Sequence, residues 1–111
     1  MDPIPVKFIV VLVRRHDLSA DEFQHYFKTV HQPLALVLPD LIGYTQNFAT
    51  DDPTRPRPAW DAIIELRFTS HAAMEAAWAT DAGRKATDDL KHMADLSQST
   101  WGIVDEFVVR C

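Results

Sequence analysis

The sequence predicts an α+β domain of ferredoxin-like architecture, with element order βαββαβ and a four-stranded antiparallel sheet. Three observations carry this expectation. Val6 to Val13 is β-branched and aromatic almost without interruption, which reads as a strand. A capped amphipathic helix follows it directly. Two further strand patterns, a second helical stretch and a closing strand then complete the order. All 111 residues are used by these elements and their turns, so residues 1–111 are expected to form one domain.

Met1 to Pro5, with prolines at 3 and 5, reads as an extended lead-in to the first strand. The first helix opens at about Ala20, because Ser19 and Glu22 form an S-x-x-E capping box and Leu18 with Phe23 can staple the entry. Its apolar stripe is expected to be Phe23, Tyr26, Phe27, Val30 and Leu34. Pro33 lacks an N–H and restricts Gln32, so a break or kink is expected near His31. Pro39-Asp40 turns the chain into a second strand over Leu41 to Thr50, and the proline-rich stretch Asp51 to Pro58 is a loop.

Trp60 to Thr69 reads as the third strand, with Trp60, Ala62, Ile64, Leu66 and Phe68 sharing one face. Ser70 and Thr80 are candidate caps for two helical pieces, the first carrying Met74, Ala77 and Trp78, the second Ala82, Ala86, Leu90 and Met93. Thr100 to Arg110 reads as the fourth strand. This order places both helical layers on one sheet face. Since the first strand is apolar on both sides, its other face calls for cover that one short chain does not supply. The expectation is a homodimer in which two sheets meet as a dimeric α/β barrel.

Charge and composition narrow the partners. The formal charge is −5 and no long run of basic residues occurs beyond Arg14-Arg15 and Arg55/Arg57, which disfavours nucleic acid. The apolar run Phe8 to Val13 is too short to span a membrane and lies too near the start for a secretory signal, so a cytoplasmic protein without membrane association is expected. Cys111 is the single cysteine, which leaves no pair for an internal disulfide. Neither a metal-ligand spacing nor a glycine-rich phosphate loop is present, so no metal and no cofactor is expected.

Of five histidines, only His31 flanks an apolar helix face at a helix break. A histidine held dry with one nitrogen bonded and the other free suits proton transfer. Position alone leaves a second role open, bonding the carbonyls that Pro33 frees. Tyr44 and Gln46 share one face of the second strand and Thr45 and Asn47 the other. Whichever pair meets a cavity can steady a substrate oxygen. Asp89 lies at the margin of the second apolar stripe, where a carboxylate can orient a histidine or simply pair with backbone or Lys85. Tyr26, Phe27, Trp60, Trp78 and Trp101 are candidate pocket walls, with core packing as their other role.

The segment from Ser19 to Pro33 resembles the F-x-x-Y-[WF]-x-x-x-H-x-P element of EthD-like proteins in the dimeric α/β barrel superfamily, through Phe23, Tyr26, Phe27, His31 and Pro33. Pro39-Asp40-Leu41, Tyr44 to Asn47, Trp60-Asp61, Ala79 to Arg84 and Asp88-Asp89 extend the resemblance over nearly the whole chain. It implies cofactor-free proton transfer. In methylmuconolactone isomerase relatives a helix-end histidine and a second-strand tyrosine are implicated, and these match His31 and Tyr44. Those relatives also carry a third-strand cysteine where Leu66 stands here, so thiol-dependent lactone chemistry is not expected on that pattern.

Together these readings point to a cofactor-free acid–base enzyme of decarboxylase, dehydratase, cyclase or isomerase type. It would act on a small hydrophobic aromatic, polyketide-like or lactone substrate, with His31, Tyr44 and Asp89 catalytic. Tyr26, Phe27, Gln46, Asn47, Trp60, Leu66 and Trp78 would bind the substrate. One alternative is a non-catalytic small-molecule-binding accessory protein. The other is a haem-degrading or quinol monooxygenase, although the first strand lacks the asparagine that the haem-degrading members use.

Overall fold

The computed structural model describes residues 4–111, so the first part of the expected lead-in lies outside the described residues. Its strands are β1 (Val6–Leu12), β2 (Leu41–Phe48), β3 (Ala62–Phe68) and β4 (Thr100–Val104). They form one sheet in the order β2-β3-β1-β4, and every neighbouring pair is antiparallel. The helices are α1 (Ala20–Tyr26), α2 (Gln32–Leu36), α3 (His71–Trp78) and α4 (Asp81–Asp89), the last running into a 3₁₀ turn over Leu90–His92. The expected βαββαβ order is therefore present.

The caps sit where their chemistry requires. Ser19 Oγ accepts from the Glu22 N–H at 3.0 Å while the Glu22 carboxylate accepts from the Ser19 N–H at 2.9 Å. Ser70 and Thr80 accept in the same way from Ala73 and Gly83, which splits the second helical stretch into α3 and α4. At that junction a Cβ on Gly83 would lie 2.3 Å from the Ala77 carbonyl oxygen and 2.6 Å from that of Trp78. Only a glycine lets α4 come this close to the end of α3.

Between α1 and α2 the expected kink takes a definite form. Residues Phe27–His31 make a π turn, in which the Gln32 N–H donates to the Phe27 carbonyl five residues back. A wider turn advances less than 100° per residue, so side chains after Phe27 lag behind the α-helical positions that spacing predicts. The buried stripe moves on by one residue as a result. Val30 is 42% exposed, contrary to expectation, whereas His31 is only 6% exposed and Ala35 is buried in place of Leu34.

Every strand is shorter than its sequence pattern, β3 and β4 the most. β4 stops at Val104 rather than Arg110 because its one partner is β1, and the Lys7–Val104 pair lies at the start of that strand, beside Pro5, which has no N–H to offer. β3 begins at Ala62, leaving Trp60 outside it: the Arg14 N–H that would extend the ladder donates instead to the Asp61 carboxylate at 2.8 Å.

Alternation along β3 is strict. Ala62, Ile64, Leu66 and Phe68 are buried against the helices, joined on that face by Val10 and Leu12 of β1. Phe23, Phe27, Phe68, Leu12 and Met93 are the largest fully buried side chains, and each contributes about 1.5–3 kcal/mol of hydrophobic stabilisation. The opposite face carries Ile9, Val11 and Ile63, all half-buried, beside Lys7, Glu65 and Arg67. Lys7 bridges Glu65 at 2.9 Å and also meets Glu106, which accepts from Arg67 at 2.6 Å.

Candidate functional site

The π turn, α2, α3 and α4 close over the sheet around a cavity of about 310 Å³. Its floor is Phe8, Val10, Ile64, Leu66 and Trp101 from the strands, and its walls include Phe27, Trp78 and Leu90. This volume lies at the small end of ligand-binding cavities, and an apolar wall with few polar groups is their usual character. Trp78 is wedged between Phe8 and Phe68, with ring centroids 5.4 and 5.6 Å away. Among the described residues no lysine, arginine, aspartate or glutamate lines the cavity itself.

The π turn sends His31 into this space, where its ring lies 5.0 Å from that of Phe27. Nδ1 is 3.0 Å from Oδ2 of Asp89, whose other oxygen accepts from the Tyr26 hydroxyl at 2.6 Å. A carboxylate only accepts, so Nδ1 carries the ring proton and Nε2 keeps its lone pair. No described side-chain nitrogen or oxygen is both sealed from solvent and unpartnered, and Nε2 makes no hydrogen bond to the described residues. It therefore keeps some exposure, and His31 lines the cavity.

The electrostatics favour a neutral imidazole. Burial pushes the His31 pKa below its ordinary 6.5, and the Asp89 carboxylate opposes that shift without reversing it. The Tyr26 phenol is pushed up to about 12 by burial and by its bond to Asp89, so it stays a donor. Tyr44 lines the cavity from β2, and burial raises its phenol while the neighbouring Gln46 amide acts the other way.

The sequence candidates are thus partly brought together. His31, Tyr44, Phe27, Leu66 and Trp78 line one cavity, and Asp89 stands behind His31. Tyr26 is placed differently from a substrate-binding wall, since its hydroxyl is committed to Asp89. Asn47 is on the wrong face: alternation along β2 puts it opposite Tyr44, where its amide donates to Glu65 and to the Ile63 carbonyl. Gln46 shares the face of Tyr44 but bonds Gln32 outside the cavity. Trp60 lies outside the strand and lines no part of it. Trp101, a candidate wall, does line it, whereas Phe8 and Val10 were missed; the alternation of β1 was visible, but which face met the cavity was not.

Among the described residues no group of three histidine, cysteine or acidic side chains is arranged to hold a metal ion, and no helix is long and apolar enough to cross a membrane. Fold and site together define a ferredoxin-like α+β protein with an internal apolar cavity served by one buried histidine. Residues 15–97 match the EthD domain, and the chain belongs to the EthD family.

No curated protein sequence matches the chain. Similar solved structures include an EthD family protein from Bacillus halodurans, with TM-score 0.80 and 21% identity over 94% of this chain and 100% of that one. SnoaB, a cofactor-independent oxygenase from Streptomyces nogalater, aligns with TM-score 0.68 at 15% identity over 99% and 100% of the two chains. A dimeric ferredoxin-like protein of unknown function from Thermobifida fusca aligns with TM-score 0.69 at 14% identity, covering 92% and 91%. These likenesses establish the fold.

Proposed function

We propose that the chain is a cofactor-free acid–base enzyme in which Nε2 of His31 removes a proton from a carbon beside a carbonyl, or from a phenol, held in the apolar cavity. The observation that carries this reading is the Tyr26–Asp89–His31 chain beside an otherwise apolar cavity that His31 lines, an arrangement that supports Nε2 as the unprotonated nitrogen available to a bound molecule. Asp89 orients the ring and stabilises the imidazolium once the proton arrives. The Tyr44 hydroxyl is the donor available to the oxygen that gains charge in the enolate or phenolate. Return of the proton to another carbon would give isomerisation, expulsion of a β-hydroxyl that takes the proton away as water would give dehydration, and attack of the enolate carbon on a second carbonyl of the same molecule would give cyclisation. A β-keto acid that gives its carboxyl proton to His31 would lose CO2 and take the proton back at carbon, which is decarboxylation. The fold likeness to a cofactor-independent oxygenase accords with such chemistry.

The working unit on this reading is a homodimer. Ile9, Val11 and Ile63 form an apolar strip on the sheet face that the helices leave bare, and Phe107 and Val109 are more than half exposed just beyond β4. A second copy would cover this surface, as the dimeric state of the Thermobifida fusca protein also suggests.

Hydrogen–deuterium exchange at the α-carbon of aryl β-diketones, followed by NMR in D₂O, tests the chemistry without a known substrate. Accelerated exchange that His31→Gln removes is expected. Exchange equal in both proteins would overturn the proposal, and tight binding without exchange would favour a binding protein instead.

A further inference from the structure

Tyr44 has a second neighbourhood. On the side away from the cavity it borders an open groove of about 400 Å³, formed with Lys28, Gln32, Leu36, Gln46 and Phe48. The groove follows from two periodicities. Lys28, Gln32 and Leu36 recur every four residues through the π turn and α2, while Tyr44, Gln46 and Phe48 alternate on edge strand β2, so the two rows face each other along the sheet margin. Its contents contrast with those of the cavity. Gln46 Nε2 donates to Gln32 Oε1 at 3.0 Å, which leaves the Gln32 amide N–H groups unused by that bond. The Lys28 ammonium stands 5.4 Å from the Phe48 ring centroid and pairs with no carboxylate among the described residues.

We infer that this groove is a second subsite, receiving an acidic substituent of a substrate whose apolar ring system lies in the cavity, with Tyr44 as the wall that both parts touch. The inference rests on the cavity being the substrate site. Among the described residues no cation lines the cavity, and the carboxylate of Asp89 lies behind it, so burying an anionic group inside would leave it unpaired. Lys28 and the Gln32 amide supply the complementary charge and donors one side chain away. Specificity for an aromatic acid over the corresponding neutral phenol is the consequence.

Calorimetric titration of the full-length protein with 2-naphthol and with 6-hydroxy-2-naphthoate tests this. The naphthoate is expected to bind more tightly by roughly three- to tenfold, the range for a charge-assisted contact at a partly exposed site. Lys28→Met should abolish the preference, leaving naphthol affinity unchanged, and Lys28→Glu should reverse it. Lys85→Met, which removes the same charge from the exposed face of α4, should preserve it. Equal affinities in the wild type, or a preference that survives Lys28→Met, would overturn the subsite while leaving the cavity reading intact. Failure of both compounds to bind would overturn the two together.

Discussion

His31 and Asp89 are 58 residues apart in sequence and 3.0 Å apart between Nδ1 and Oδ2, with both side chains no more than a tenth exposed. The contact ties the π turn to the last turn of α4, and the carboxylate decides which ring nitrogen is protonated. Replacing it by an amide keeps the shape and removes that decision, because an asparagine can either accept from Nδ1 or donate to it. For Asp89→Asn the proton-transfer rate is therefore expected to fall by about 10²- to 10⁴-fold, the range attributed to a correctly poised general base and its orienting group. Steady-state exchange measurements with parallel calorimetry would separate this from lost binding, which should change little. An unaltered rate would assign Asp89 a purely structural role.

The pH dependence has a definite sign. Burial lowers the His31 pKa below 6.5, and the base form is the neutral one. Activity should be flat through neutrality and decline only on acidification below that value. Folding stability follows the same group. With its folded pKa depressed relative to the unfolded chain, the unfolded state binds more protons between the two values, so stability falls as pH drops from 6.5 through the folded pKa. His31→Gln should remove that part of the slope in chemical denaturation measured between pH 5 and 7, whereas a slope identical to the wild type would show that His31 does not contribute to it.

Much of the fold was legible because its signals are local. The capping box at Ser19, the caps at Ser70 and Thr80, and the alternation from Ala62 to Phe68 all act within a few residues of themselves. The lengths of β3 and β4 were not legible, since each ends where a distant partner runs out: Arg14 turns to the Asp61 carboxylate, and β1 begins at Val6. His31 was found by its place beside a proline-induced irregularity, but an α-helical projection left it at the edge of the buried stripe. The π turn exchanged it with Val30, and no periodicity of 3.6 contains that information. Asn47 was misplaced for a different reason. Alternation pairs residues on a strand without saying which pair the helices cover.

Gly83 provides a test of how tightly the two halves of the second helical layer must meet. Its missing Cβ would sit 2.3 Å from the Ala77 carbonyl oxygen, a backbone atom that cannot rotate aside. Gly83→Ala would ordinarily strengthen a helix, by about 1 kcal/mol on propensity alone. Here α4 would have to move off the end of α3, and overpacking of this kind costs roughly 1–3 kcal/mol. Net destabilisation in urea denaturation is expected. Because Asp89 closes the same helix, a weakened His31–Asp89 contact should accompany it, visible as a change in the histidine ring resonances. A stabilised variant would show that α3 and α4 are held less closely than their backbones indicate.

The proposed dimerisation through the bare sheet face makes a sharper demand on Val11. This side chain pairs across the sheet with Ile63 and Thr100 and points away from the cavity and helices. In a monomer it is only partly covered, so an aspartate there can reach water and the chain should still fold. Between two apposed sheets the same carboxylate would be buried without a partner, at a cost of several kcal/mol per subunit. Val11→Asp is therefore expected to convert the protein from a dimer to a species of 12.6 kDa in light scattering, with its circular dichroism retained. If instead the variant remains dimeric, the subunits meet elsewhere, and the exposed Trp101 and Phe107 at the β4 margin become the surface to mutate next.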